Sequence, residues 1–168
     1  MRIRCSLTCC AILLSFAAIP VDAAEPPASG SVGLMASLQS EQIDILVPLW
    51  VSPNLSLAPA LRIVSVGDSY TDYGIGASLR VYRRSATVSP YVGLRGMALV
   101  ISPKTGDGWT VFVVGGAFGG DYFFDPQFSV GVEAQLNVSV SADASTRFGN
   151  PGGTNINSGM GVFAALYF

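Results

Sequence analysis

Residues 128–142 read FSVGVEAQLNVSVSA. Every even position is apolar (Phe128, Val130, Val132, Ala134, Leu136, Val138, Val140, Ala142) and every odd position is polar or glycine. A period of two belongs to a β-strand with one apolar and one polar face. The run is 15 residues long, well beyond the ~5–6 residues of an ordinary globular strand. A two-faced strand of that length suits a wall with lipid on its apolar side, because ~9–11 tilted residues are needed to cross a bilayer.

Seven further segments share the strand character. With this one, the eight are roughly Ser31–Gln39, Gln42–Val51, Leu55–Val66, Asp72–Arg83, Pro90–Ser102, Trp109–Phe124, Phe128–Ser141 and Ser158–Phe168. Turn-rich clusters separate them: SPN at 52–54, GDSYT at 67–71, SATVS at 85–89, PKTGDG at 103–108, DPQ at 125–127 and a long stretch at 143–157. No helical periodicity and no internal repeat interrupts the series. Pro48 and Pro59 fall inside the second and third segments, where proline marks a bulge or a weak strand. Connections after even-numbered segments are short, and those after the third, fifth and seventh are longer. That asymmetry predicts an all-β fold, an eight-stranded antiparallel up-and-down transmembrane β-barrel with both ends on the short-turn side. Trp50, Tyr82, Tyr91, Tyr122, Phe123, Phe124, Phe128, Tyr167 and Phe168 then share one height. There they are expected to form an aromatic belt at the membrane interface. Tyr70, Tyr73 and Trp109 make a thinner belt opposite.

The N-terminus reads as a secretory signal: Arg2 and Arg4, the apolar run Cys9–Val21, and small or apolar residues at Val21 and Ala23. The expected organisation is a signal peptide at 1–23, a short Pro-rich leader of no predicted structure at 24–30 and a barrel at 31–168. All three cysteines, Cys5, Cys9 and Cys10, lie in the signal, so the exported chain has no disulfide, thiolate metal site or cysteine nucleophile. With no histidine in the sequence, Ser–His–acid catalysis and His-ligated metals are excluded. Lys104 is the only lysine and falls in a loop, where it is solvated. The expectation is therefore no enzyme, no cofactor and no metal. Asp68, Asp72 and Asp107 fall in loops, where a weak divalent-cation site is the alternative to simple solvation. GGAFGGD at 115–121 lacks the lysine and following helix of a phosphate loop. A formal net charge of −2 gives no reason to expect nucleic acid.

The chain ends GVFAALYF. The terminal Phe168, with Leu166, Ala164 and Val162 at alternate positions before it, resembles the C-terminal signature of bacterial outer-membrane barrels. In length, strand count and ending the chain resembles the OmpA/OmpX-like class of small eight-stranded barrels. The resemblance implies Sec-type export to the bacterial outer membrane, lipid as surroundings, and recognition of those four residues by the barrel-insertion machinery. A monomer is expected, whose loops are free to meet an extracellular ligand.

Charges fix the wet face. Asp44, Arg62, Arg80, Arg95 and Glu133 fall opposite the aliphatic residues of their segments. A turn centred near Pro53–Asn54 sets Asp44 opposite Arg62. A loop centred near Thr71 sets Arg62 opposite Arg80, and a turn near Ala86–Val88 sets Arg80 opposite Arg95. The expected result is one cross-strand row, with Gly115 and Ala117 leaving room for Arg95 to reach Glu133, and with Asp121 or Glu41 assisting. In a barrel just wide enough for side chains to fill it, such a row reads as a salt-bridge plug. Structural, adhesive or surface-interaction duties follow. The alternatives are a narrow channel for ions or small hydrophobic solutes, and a soluble periplasmic ligand-binding barrel with the charges outside.

Overall fold

The computed structural model describes residues 24–39, 42–66, 70–84, 88–103, 107–141 and 152–168, and of these not the side chains at 65, 66, 70 and 103. The expected signal peptide, Glu41, Asp68 and Lys104 lie outside these residues. The strands are β1 (Gly33–Gln39), β2 (Gln42–Leu46), β3 (Leu49–Ser52), β4 (Leu55–Val66), β5 (Tyr70–Tyr82), β6 (Ser89–Pro103), β7 (Trp109–Asp125), β8 (Phe128–Ser141) and β9 (Thr154–Tyr167). They form one antiparallel sheet in the order β2-β1-β9-β8-β7-β6-β5-β4-β3, closed by pairing of β2 with β4.

The predicted second strand is split into β2 and β3 at Val47–Pro48, so nine strands build eight staves. Proline fixes φ and removes a donor, which ends a ladder. Pro59 does not break β4 and sits in register opposite Ala77. Its carbonyl accepts from Val47 N at 2.9 Å. A residue's N–H and C=O point to the same side of a strand, so the missing donor of Pro59 faces the break, where no ladder bond is lost. β9 starts four residues before its predicted beginning at Ser158. Its far end pairs with β1, Gly33 opposite Tyr167, and Phe168 N donates to Val32 O at 2.8 Å.

Inside and outside follow the alternation. On β8, Val132, Leu136 and Val140 are more than half exposed, while Glu133, Gln135 and Asn137 are buried in the lumen. The outward apolar face continues on other strands through Leu61, Ile75, Leu94, Phe118 and Met160. A soluble barrel would have the opposite polarity; an outer wall this apolar needs lipid. Val132→Arg is therefore expected to cost roughly 2–4 kcal/mol in a folding titration in lipid vesicles, the range for a charge near mid-bilayer. Gln135→Arg, on the lumen side, should cost clearly less. Equal losses would reverse the two faces.

The leader contains no strand or helix. Residues 24–30 fold beneath the end of the barrel where the tight turns lie. Pro26 and Pro27 are buried, Ala24 N donates to Phe123 O at 2.9 Å and Gly30 N to Trp50 O at 2.7 Å. Gly30 has φ of 93°, a left-handed conformation that glycine adopts without penalty, and it turns this strap into β1.

Candidate functional site

The lumen is the only place where the described residues concentrate polar chemistry, and two clusters occupy it. In the first, Asp44 of β2 sits directly opposite Arg62 of β4. The carboxylate accepts from Arg62 Nε at 2.5 Å and Nη2 at 2.6 Å, a bidentate fork of the strong, directional kind. From across the lumen, Arg95 Nη2 of β6 comes within 3.6 Å of the same carboxylate. Asp44 thus serves two guanidiniums.

In the second cluster, Arg80 of β5 reaches across to Glu133 of β8 at 2.8 Å. Glu133 also accepts from the Tyr91 hydroxyl at 2.7 Å and from Gln135 Nε2 at 2.7 Å. The Arg80 guanidinium lies 4.8 Å from the centroids of both Tyr91 and Phe163, a favourable seat for a cation on two ring faces. Its Nη1 contacts Met35 Sδ at 3.2 Å. Below it, the buried Asp121 accepts from the Tyr82 hydroxyl at 3.0 Å and from Ser129 Oγ at 3.2 Å.

The single cross-strand row is corrected by this geometry. Only Asp44 and Arg62 pair as expected. Arg62 lies opposite Gly74 and Arg80 opposite Ser56, because the β4–β5 connection centres on residues 67–69 rather than on Thr71. Tyr70 and Thr71, counted with the turn cluster, are good strand formers and belong to β5. Arg80 lies opposite Gly93, and Arg95 opposite Ser78. The ion pairs exchange accordingly: Arg80, not Arg95, binds Glu133, and Arg95 turns to Asp44. Gly115 and Ala117 do face the lumen, and Ala117 borders the small cavity between Arg95 and Glu133. Asp121 lies in the lumen and joins Tyr82 and Ser129. Asp72 belongs to β5, fully buried, rather than to a loop, whereas Asp107 is exposed.

The aromatic belt is corrected too. Trp50, Tyr82, Tyr91, Phe123 and Tyr167 have the expected height but point inward, each at most 3% exposed. They form a floor across the lumen. The Trp50 ring lies 4.7 Å from Tyr82 and 6.3 Å from both Phe123 and Tyr167, and Tyr82 is 5.0 Å from Tyr91. The strap packs under this floor through Ala24. Tyr122, Phe124, Phe128 and Phe168 remain for the outer belt, with Phe124 stacked on Phe128 at 5.5 Å. At the other end, Tyr73 points outward at 51% exposure, Trp109 packs partly into the core, and the Tyr70 side chain is outside the described set.

Between the two clusters remains a cavity of about 20 Å³, bordered by Ser37, Asp44, Arg80, Arg95, Ala117 and Glu133. A space of that size holds about one water molecule.

No family profile matches this chain, and neither does any curated protein. Its architecture is shared by solved structures, among them the following two. The N-terminal β-barrel domain of Pseudomonas aeruginosa OprF aligns with a TM-score of 0.57 at 11% identity, covering 82% of this chain and 96% of that domain. Neisserial surface protein A (NspA) aligns with a TM-score of 0.58 at 17% identity, covering 82% of this chain and 94% of the other. The fold is that of the small outer-membrane β-barrels. At these identities the likeness is one of fold. Val162, Ala164, Leu166 and Phe168 all point to the outer wall of β9 and its end, Phe168 at 81% exposure.

Proposed function

We propose that the chain is an integral protein of the bacterial outer membrane, non-enzymatic and closed to solute flow, whose barrel is an anchor for structural, adhesive or surface-interaction work by its loops. The observation that carries this reading is the filled lumen. Two ion-paired layers lie above an aromatic floor, and about one water's worth of space is left between them. Hydrated ions need a continuous wet path, and three guanidiniums paired with two carboxylates across the lumen do not supply one. Purified protein reconstituted in a planar bilayer should therefore give no steady conductance. A steady, voltage-independent current would favour the narrow-channel reading instead.

The same proposal assigns the outward face of the last strand to the insertion machinery. Phe168→Glu keeps the backbone bond to Val32 O but removes the exposed ring. It is expected to lower the amount of folded barrel in the outer membrane, while unfolding of the purified, refolded variant changes little. Normal membrane amounts would remove the ring from any assembly role.

A further inference from the structure

The outer wall carries a feature that the lumen does not explain. A groove of about 720 Å³ runs over β7, β8, β9, β1 and β2, lined among others by Leu38, Ile43, Val88, Gly120, Val132 and Val162. Apart from the Tyr122 hydroxyl, no polar side-chain atom lines it. Its course follows from register. Pro90 lies opposite Gly120, Gly120 opposite Val132, Val132 opposite Val162, Val162 opposite Leu38, and Leu38 opposite Ile43. These are consecutive members of one cross-strand row. The row extends one step further at its lower end, because Arg83 N donates to Pro90 O at 2.8 Å.

A row perpendicular to tilted strands must climb the barrel. Five strand spacings separate Pro90 from Ile43, about 24 Å at ~4.8 Å each. With strands tilted ~35–45° from the axis, the climb is about 15 Å, half of a ~30 Å hydrocarbon core. The groove therefore begins at the turn end and has the depth of one leaflet. Charge marks where it begins. Arg83 and Arg84 are both exposed on the turn leading to Val88. Arg84 Nε donates to Pro53 O at 3.1 Å, and its Nη1 lies 3.9 Å from the exposed Glu25. Arg83 has no side-chain partner among the described residues. Tyr122, an interfacial residue type, stands at the same level.

We infer that this groove is a binding site for one anionic phospholipid of the turn-side leaflet, with its acyl chain along the Gly120–Val132–Val162–Leu38 row and its phosphate on Arg83. Apolar surface alone would accept any tail; the arginine at the mouth selects the headgroup charge. The inference rests on the membrane-spanning reading.

The test uses the refolded full-length barrel in vesicles of phosphatidylethanolamine with one-fifth phosphatidylglycerol, followed by native mass spectrometry of lipid retained after gentle extraction. The wild type should retain one phosphatidylglycerol per barrel in preference to phosphatidylethanolamine. Arg83→Ala should weaken that retention about fivefold, the effect of one basic residue at a membrane surface. Ala36→Phe, at an exposed wall position lining the groove, should abolish it by filling the channel without altering charge. Heat-modifiable migration reports whether each variant is folded and inserted. A wild type that does not insert refutes the membrane reading itself. Insertion with equal retention of both lipids, or with retention unaffected by Ala36→Phe, overturns the site. Barrel pairs that vanish with Ala36→Phe also overturn it, and make the groove a contact between copies.

Discussion

Asp44→Ala is expected to destabilise the folded barrel by about 3–5 kcal/mol, the usual cost of breaking a buried ion pair by removing one partner. Asp44 is 3% exposed and forks to Arg62 while facing Arg95. Without it, two guanidiniums share a narrow lumen with no anion between them. Arg62→Ala should cost less, because the carboxylate left behind still has Arg95 within reach. The double variant should be milder than the sum of the two single losses, as contacting residues are not additive. Urea titration in lipid vesicles, with gel migration as the readout, gives all three values. Strict additivity would mean that the pair is not coupled. A stable Asp44→Ala barrel that passes a steady current would make the charged layer a gate.

Trp50→Ala should cost about 3–5 kcal/mol, as for large aromatic side chains removed from a packed core. Trp50 is 1% exposed and touches Tyr82, Phe123 and Tyr167. Its loss would open the floor where no neighbouring ring can close it. The backbone bond from Gly30 N to Trp50 O does not need the indole, so the strap keeps one anchor. Phe124→Ala is the control: that ring lies at the same end but points outward, 46% exposed, and its removal should cost far less. If the two variants unfold alike in the same titration, the inward aromatic floor is not a source of stability.

The correction of the aromatic belt shows how far the sequence could be read. Height depends on where strands end, and turn residues mark that well. Facing depends on parity, which is also in the sequence. Tyr82 shares the parity of Arg80, Tyr91 that of Arg95, Phe123 that of Asp121, and Tyr167 and Phe163 oppose Val162, Ala164 and Leu166. Residue type points these aromatics to the lipid interface, whereas parity points them inward, where Tyr91 and Phe163 seat Arg80. The inward charges were legible because carboxylates and guanidiniums have no place on an apolar wall. Their partners were less legible. A shift of a few residues in the centre of one connection, from Thr71 to 67–69, moves Arg80 from beside Arg62 to beside Ser56. Turn composition locates a connection but does not count its residues. The break at Pro48 was marked by the proline; the tolerance of Pro59 depends on that break and is visible only once the neighbours are known. The packing of the strap was not legible, since a Pro-rich segment has no periodicity and its place comes from burial beneath rings contributed by distant strands.

The seam between β1 and β9 sets the order in which this molecule can form. β1 is bonded to β2 on one side and to the end of β9 on the other, and Val32 exchanges backbone hydrogen bonds with Phe168. The closing pair thus joins the first and last strands described, contacts of high sequence separation that are slow for a chain to find. Every other strand can join its neighbour as a local hairpin. Until the last strand docks, β1 and β9 both offer open hydrogen-bonding edges on a ribbon whose outer face is already apolar. Such a ribbon is prone to pair with its own kind in water, and in lipid its bare edges are costly. Closure must therefore follow delivery to the membrane closely. The rate of that final step sets how long the open edges stay exposed.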